Sequence, residues 1–322
     1  MDFLLLDREP YTTTFSIQSC SLLNTVDINS GCPIDLIYKR GMGCGLMGRK
    51  KPLEVLCRAM SSVLSVPLTV KMRTGIYMDK KIAHTLIPSV KEWGVDMITL
   101  HGRSREQRYY RLADWDYIGE CAKVADPVPL FGNGDIINFE DYYSHKESAG
   151  VSGIMFARGA LIKPWVFTEV KERRHWDISA SERLDMIRSY AEYGLDHWGS
   201  DSKGVETTRR FLLEWLSFLH RYVPHGILER PPQRMNERIP RFVGRNELET
   251  LLASPSCADW VRISGRLRLE KNCFRMTEQP ETCMIFRRDV PGQGPRRFRL
   301  RAQAQGARLQ VTRRVRRCSK SI

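Results

Sequence analysis

Between residue 25 and about residue 170 the chain alternates between two hydrophobic rhythms. Short apolar, β-branched runs fall at residues 26–28, 67–72, 95–100, 128–131 and 151–156, and helical patterns at 52–64, 80–93, 115–124 and 139–148 lie between them. Continuous apolar runs are what parallel strands buried on both faces look like, and each needs a crossover helix to reach the next. Asn138 is the predicted N-cap of the last helix and Gly94 the predicted C-cap of the second. Each strand runs into a polar, glycine-bearing turn: Gly31-Cys32-Pro33, Lys71 to Gly75, His101-Gly102-Arg103, Gly132-Asn133-Gly134-Asp135 and Ala157-Arg158-Gly159. Ligand sites of α/β proteins lie at the carboxyl ends of strands, and in a (β/α)8 barrel all of these ends share one face. The pattern predicts an α/β fold, a (β/α)8 TIM barrel of which about five of the eight strands are evident.

After Pro164 the rhythm becomes purely helical, with patterns at 181–198, 205–223 and 246–253 and breaks at Pro231-Pro232 and Pro240. The expected organisation is a barrel region over 25–176, a small all-helical domain over 177–264, and a basic, disordered tail over 265–322. That tail alters the meaning of the net charge of +14. It holds 16 of the 51 Lys and Arg but 4 of the 37 Asp and Glu, so the rest of the chain is nearly neutral. Overall basicity therefore says little about what the folded body binds.

Nine cysteines without a C-x-x-C pair predict reduced thiols, no zinc-ribbon site and no metal. The setting expected is cytoplasmic or nuclear. The apolar start of the chain is cut off at Asp7-Arg8-Glu9, and no stretch approaches the ~20 apolar residues of a membrane span.

The turns carry the candidate chemistry. Glycine loops at Gly132–Asp135 and Ala157–Ala160, after consecutive strands, suit a phosphate, with Arg158 adding a charge-assisted contact. Two ordinary βα turns are the alternative. Lys71 and His101, each closing a strand, point to an anion or acceptor, against a solvated lysine and a satisfied rim histidine. Arg103, Arg105 and Arg108 fit either a solvated charge run or contacts to a polyanion. Cys32, before proline and straight off a strand, reads as packed. Cys44, between Gly43 and Gly45, reads as an acid or nucleophile on a flexible loop, tuned by nearby Lys or Arg.

Taken in order, Asp27-Ile28-Asn29-x-Gly31-Cys32-Pro33, Gly43-Cys44-x-Leu46-Met47, Val70-Lys71-Met72-Arg73-Thr74-Gly75, Leu100-His101-Gly102-Arg103, Gly132-Asn133-Gly134-Asp135-Ile136 and Ala157-Arg158-Gly159-Ala160-Leu161 resemble the signatures of the flavin-dependent tRNA-dihydrouridine synthases. The runs Leu100 to Tyr109 and Arg209 to Leu216 resemble the eukaryotic subfamily acting on the variable loop, the position-47 class. The likeness spans about 25–264.

The resemblance implies a barrel holding FMN, a helical domain seating tRNA, and NAD(P)H as reductant. It further implies hydride transfer to C6 of an extruded uridine and proton delivery to C5 by Cys44. Lys71, His101, Asn133, Gly134, Asp135, Ala157 and Arg158 fall on the flavin positions. Arg103, Arg105, Arg209, Arg210, Arg221, Arg234 and Arg238 are the candidate RNA contacts.

In that family the Asp-Ile-Asn strand is the fourth of eight. Residues 1–24 read as a non-family segment with no counterpart of strands one to three, of their Pro-Met-type and glutamine flavin contacts, or of the subfamily's Cys-His zinc region. The chain is thus expected to be a shortened or alternatively spliced form. Two other functions fit parts of it: a catalytically incompetent chain that only binds RNA, and an FMN barrel oxidoreductase with a small substrate. The helical extension and the position-47 runs argue against the second.

Overall fold

The computed structural model describes residues 24–109, 111–229 and 237–267, without the side chain of Arg266. The readings made for the first 23 residues, for 268–322 and for Arg234 lie outside them. Five parallel strands, β1 (Val26–Asn29), β2 (Leu68–Arg73), β3 (Met97–His101), β4 (Leu130–Asn133) and β5 (Gly153–Met155), form one sheet in sequence order. Such sequential parallel order, with a helix crossing between neighbours, is the arc of a barrel rather than a doubly wound sheet. All five predicted strands are present; the first four run one or two residues past their predicted carboxyl ends, and the fifth is trimmed at both.

The crossovers are α3 (Lys50–Val63), α4 (Ala83–Glu92), α5 (Trp115–Ala125) and α6 (Phe139–Ala149), preceded by two short helices, α1 (Asp35–Lys39) and α2 (Cys44–Met47). Asn138 caps α6 in a full capping box with Asp141, as its position predicted. Gly94, at φ +82°, follows the end of α4.

Because side chains alternate across a strand, the sheet separates two kinds of residue. Leu68, Val70, Met72, Ile98, Leu100, Leu130 and Ile154 face the helices and form one buried apolar cluster with Leu53, Cys57, Ile87, Val90 and Ile118. The opposite set, Asp27, Thr69, Lys71, Arg73, Thr99, His101 and Asn133, is polar. The register aligns Lys71 with Thr99, Arg73 with His101, and His101 with Asn133.

The chain then passes through α7 (Arg158–Ile162) and α8 (Val166–Glu172) into α9 (Ala180–Trp198), α10 (Ser202–Leu219), α11 (Glu247–Leu252) and α12 (Cys257–Arg266). The last of these is not evident in the hydrophobic pattern. A second apolar cluster joins Ile178, Ile187, Leu212, Leu216, Leu252 and Ile263 to Ile162 and Trp165. The Trp215 indole N–H donates to the Leu161 carbonyl at 3.0 Å, tying α10 to α7. In this region Arg245 pairs with Asp177 at 2.6 Å and with Glu249 at 2.8 Å. Arg183, fully buried, donates to the Leu219 carbonyl at 3.3 Å and lies 4.9 Å from the Tyr222 ring.

Candidate active site

The carboxyl ends of β3, β4 and β5 frame a cleft lined by His101, Arg103, Tyr109, Asn133 to Ile137, Met155 and Ala157 to Gly159. Two glycines shape it by close approach. A Cβ on Gly134, at φ +139°, would lie 2.5 Å from the Ala113 Cβ, and one on Gly159 would lie 2.3 Å from the Ile136 carbonyl oxygen. The Trp115 indole N–H fixes the Gly134 carbonyl at 3.1 Å.

Across the polar face, Lys71 Nζ donates to Asn133 Oδ1 at 3.3 Å, and Asn133 Nδ2 donates to the Met155 carbonyl at 2.8 Å. Arg103 lies 3.3 Å from His101 Nε2. A guanidinium only donates, so that nitrogen accepts and His101 is neutral with its proton on Nδ1. Burial, reinforced by Arg73, Lys71, Arg103 and Arg158, holds the His101 pKa well below its ordinary range. Burial first, then the Arg73 charge, lowers Lys71 to about 8. The Arg73 and Arg158 pKa values are lowered as well, again mainly by burial.

Two of the RNA candidates are buried. Arg103 is 2 % exposed, and its Nη2 donates to both Asp135 carboxylate oxygens at 2.5 and 2.6 Å. Arg209 is 8 % exposed. Neither presents a guanidinium to a polyanion. The Asp135 carboxylate also accepts from the Ala113 N–H at 2.7 Å and from Arg158 at 3.3 Å. Its side chain thus holds two arginines at the cleft. Arg158 lies over the Tyr109 ring at 4.1 Å. Arg105 pairs with Asp35 at 2.5 Å and stacks on Tyr38 at 3.9 Å, and Arg221 donates to the Glu237 carbonyl at 2.8 Å. Arg210 and Arg238 are exposed.

The two cysteines differ in exposure. Cys44 opens α2, is 0 % exposed, and is pushed up to about 11 by burial, which outweighs the pull of Arg73. It is a packed thiol on a short helix and not on an open loop. Cys32 is half-buried and follows the end of β1. The Gly31 and Cys32 amides both donate to Asn29 Oδ1, at 3.1 and 3.0 Å, and the Cys44 amide donates to the Cys32 carbonyl at 3.0 Å. Asn29, Arg73 and Tyr109 were not singled out from the sequence. The Asn-x-Gly-Cys spacing, an Asx turn, is the signal that would have found the first.

Among the described residues no His, Cys, Asp and Glu group could hold a metal ion, and no helix is long and apolar enough to cross a membrane. The site is that of an α/β barrel protein with basic side chains gathered at the carboxyl ends of its strands. Residues 11–218 match the model of the dihydrouridine synthase (Dus) family, so the chain belongs to that family, whose fold is the TIM barrel. The match begins inside the segment read as non-family.

A mouse protein named tRNA-dihydrouridine(47) synthase [NAD(P)(+)]-like is 59 % identical over 283 residues, covering 83 % of this chain and 44 % of its own length. The human protein of that name is 63 % identical over 242 residues, covering 75 % and 37 %. A Cryptococcus neoformans tRNA-dihydrouridine(47) synthase [NAD(P)(+)] is 57 % identical over 250 residues, covering 74 % and 34 %. The chain thus spans less than half the length of these relatives.

Proposed function

We propose that the chain binds FMN on the polar face of its sheet and reduces a uridine of tRNA, in the position-47 class, to 5,6-dihydrouridine with NAD(P)H as reductant. The observation that carries this reading is the group of basic side chains Lys71, His101, Arg103 and Arg158 at the carboxyl ends of the strands, where Asp135 pairs with Arg103 and Arg158 and Asp27 lies near Lys71. Burial, with neighbouring positive charge adding to it, lowers the pKa of His101, Lys71, Arg73 and Arg158. A bound anion relieves that repulsion.

The residues fit FMN. The glycine turns at Gly134 and Gly159 line the cleft, and Arg158 supplies a counter-charge for a phosphate there. Lys71 brings positive charge to the polar face, where it stabilises an anionic ring. Once bound, the flavin supplies the hydride for C6 of the base. Cys32, the half-buried thiol at the end of β1, delivers the proton to C5 and is replenished from solvent. Cys44 has no such access. Arg210 and Arg238, exposed on the helical region, are the remaining arginine contacts to tRNA proposed there. A tRNA substrate suits a cytoplasmic or nuclear setting.

Two alanine variants test the assignment on flavin-loaded protein with unmodified tRNA. Cys32→Ala is expected to leave FMN fluorescence quenching intact while lowering dihydrouridine formation about 100-fold, the contribution of a general acid. Cys44→Ala is expected to keep product yield within about threefold, since no proton step uses its thiol. The opposite ranking sinks the Cys32 assignment. Failure of the unaltered chain to quench FMN sinks the reading as a whole.

A further inference from the structure

Arg73, the last residue of β2, is the strongest feature that the flavin reading leaves without a role. It is 5 % exposed, and among the described residues no carboxylate pairs with it. A buried cation without a counter-charge is expensive, so its hydrogen bonds matter. Its Nε donates to the Gly31 carbonyl at 2.7 Å and its Nη1 to the Ser104 carbonyl at 3.1 Å, while its own amide donates to Met47 Sδ at 3.4 Å. One residue thus ties together the β1–α1 turn, the β3–α5 loop and α2.

The neighbouring backbone is held just as closely. The Ser30 amide and hydroxyl both donate to the Lys71 carbonyl, at 2.9 and 3.0 Å. The Gly31 and Cys32 amides go to Asn29, and the Cys32 carbonyl receives the Cys44 amide. The Gly31 carbonyl, immediately before the thiol residue, is the one group of this turn held by a charged donor. Charge-assisted bonds are about twice as strong as neutral ones. Arg73 and Cys32 also lie near enough to feel each other's charge.

We propose that Arg73 is a positioning residue for the Cys32 thiol: its guanidinium fork clamps the Gly31 carbonyl to the Ser104 carbonyl, fixing the turn that carries the thiol and placing a fixed positive charge beside it. The inference rests on Cys32 being the proton donor, but its test reads the thiol alone, without flavin or RNA, and so fails separately from the activity test.

Alkylation of Cys32 by iodoacetamide would be followed by mass spectrometry of its peptide across a pH series, together with hydrogen exchange of the 29–33 segment. Arg73→Met removes the fork and the charge, and Arg73→Lys keeps only the charge. Loss of the fork and the charge is expected to change the Cys32 alkylation rate about threefold or more across the profile. R73K is expected to restore the profile but not the slow exchange, because an ammonium cannot bridge both carbonyls. R73M that stays folded by circular dichroism, with profile and exchange unchanged, overturns the proposal. Should R73M not fold, R73K decides: exchange in 29–33 as slow as in the unaltered chain overturns it.

Discussion

The barrel region and the helical region pair their basic side chains differently. In the helical region Arg245 is matched by Asp177 and Glu249, and these partners raise its pKa. Glu249 is correspondingly held below the usual carboxylate range by Arg245, against the opposing effect of burial. At the barrel face the basic groups outnumber the carboxylates, and Lys71, His101, Arg73 and Arg158 are all held below their ordinary values. Paired charge stabilises the fold. Unpaired charge of one sign is maintained at a cost and is released when a ligand of the other sign arrives.

The contrast breaks most visibly at Lys71. Lys71→Met should weaken FMN binding about 10-fold or more, the worth of a charge-assisted contact, when measured by fluorescence titration. It should leave the melting temperature unchanged or higher, since a cation disfavoured by burial is gone. A lower melting temperature with unchanged FMN affinity would place Lys71 with the structural charges. Glu249→Ala should do the reverse. It strips a carboxylate that is 1 % exposed from Arg245 and costs about 2 kcal/mol, reduced from the fully buried case because Arg245 is 42 % exposed. That is a fall of about 4–8 °C in Tm by calorimetry, with FMN binding untouched. Because its pKa is depressed, the Glu249 contribution is complete above the ordinary carboxylate range and lost as pH falls through the folded-state value.

A gentler probe is pH. Lys71, lowered to about 8, is protonated below that value and neutral above it. FMN affinity should therefore fall by up to about tenfold as pH rises through 8, while the helical pairs stay charged. An affinity flat over that window would remove Lys71 from the binding charge.

Much of this was legible in the chain. Period-2 alternation assigns Val70 and Met72 to one face and Lys71 and Arg73 to the other without any knowledge of partners. Asn138 announced its helix start because its capping partner is three residues away. The phosphate-suited turns at Gly132–Asp135 and Ala157–Gly159 were visible as glycine spacing. What stayed hidden depended on distant neighbours. Arg103 looked like a loop cation until Asp135, 32 residues on, was brought against it. Arg209 sits on a helix whose buried face is chosen by packing against α9. Cys44 looked mobile between two glycines until α2 formed and drew it inward.

The local pattern by itself determined the parallel strands, their order and the chemistry at their ends, because strand alternation and glycine turns act within a few residues. Only the tertiary structure decided which charges are paired and which thiol is exposed. Exposure and pKa are set by contacts between segments far apart in sequence, and these put Cys44 under the turn and left Cys32 upon it.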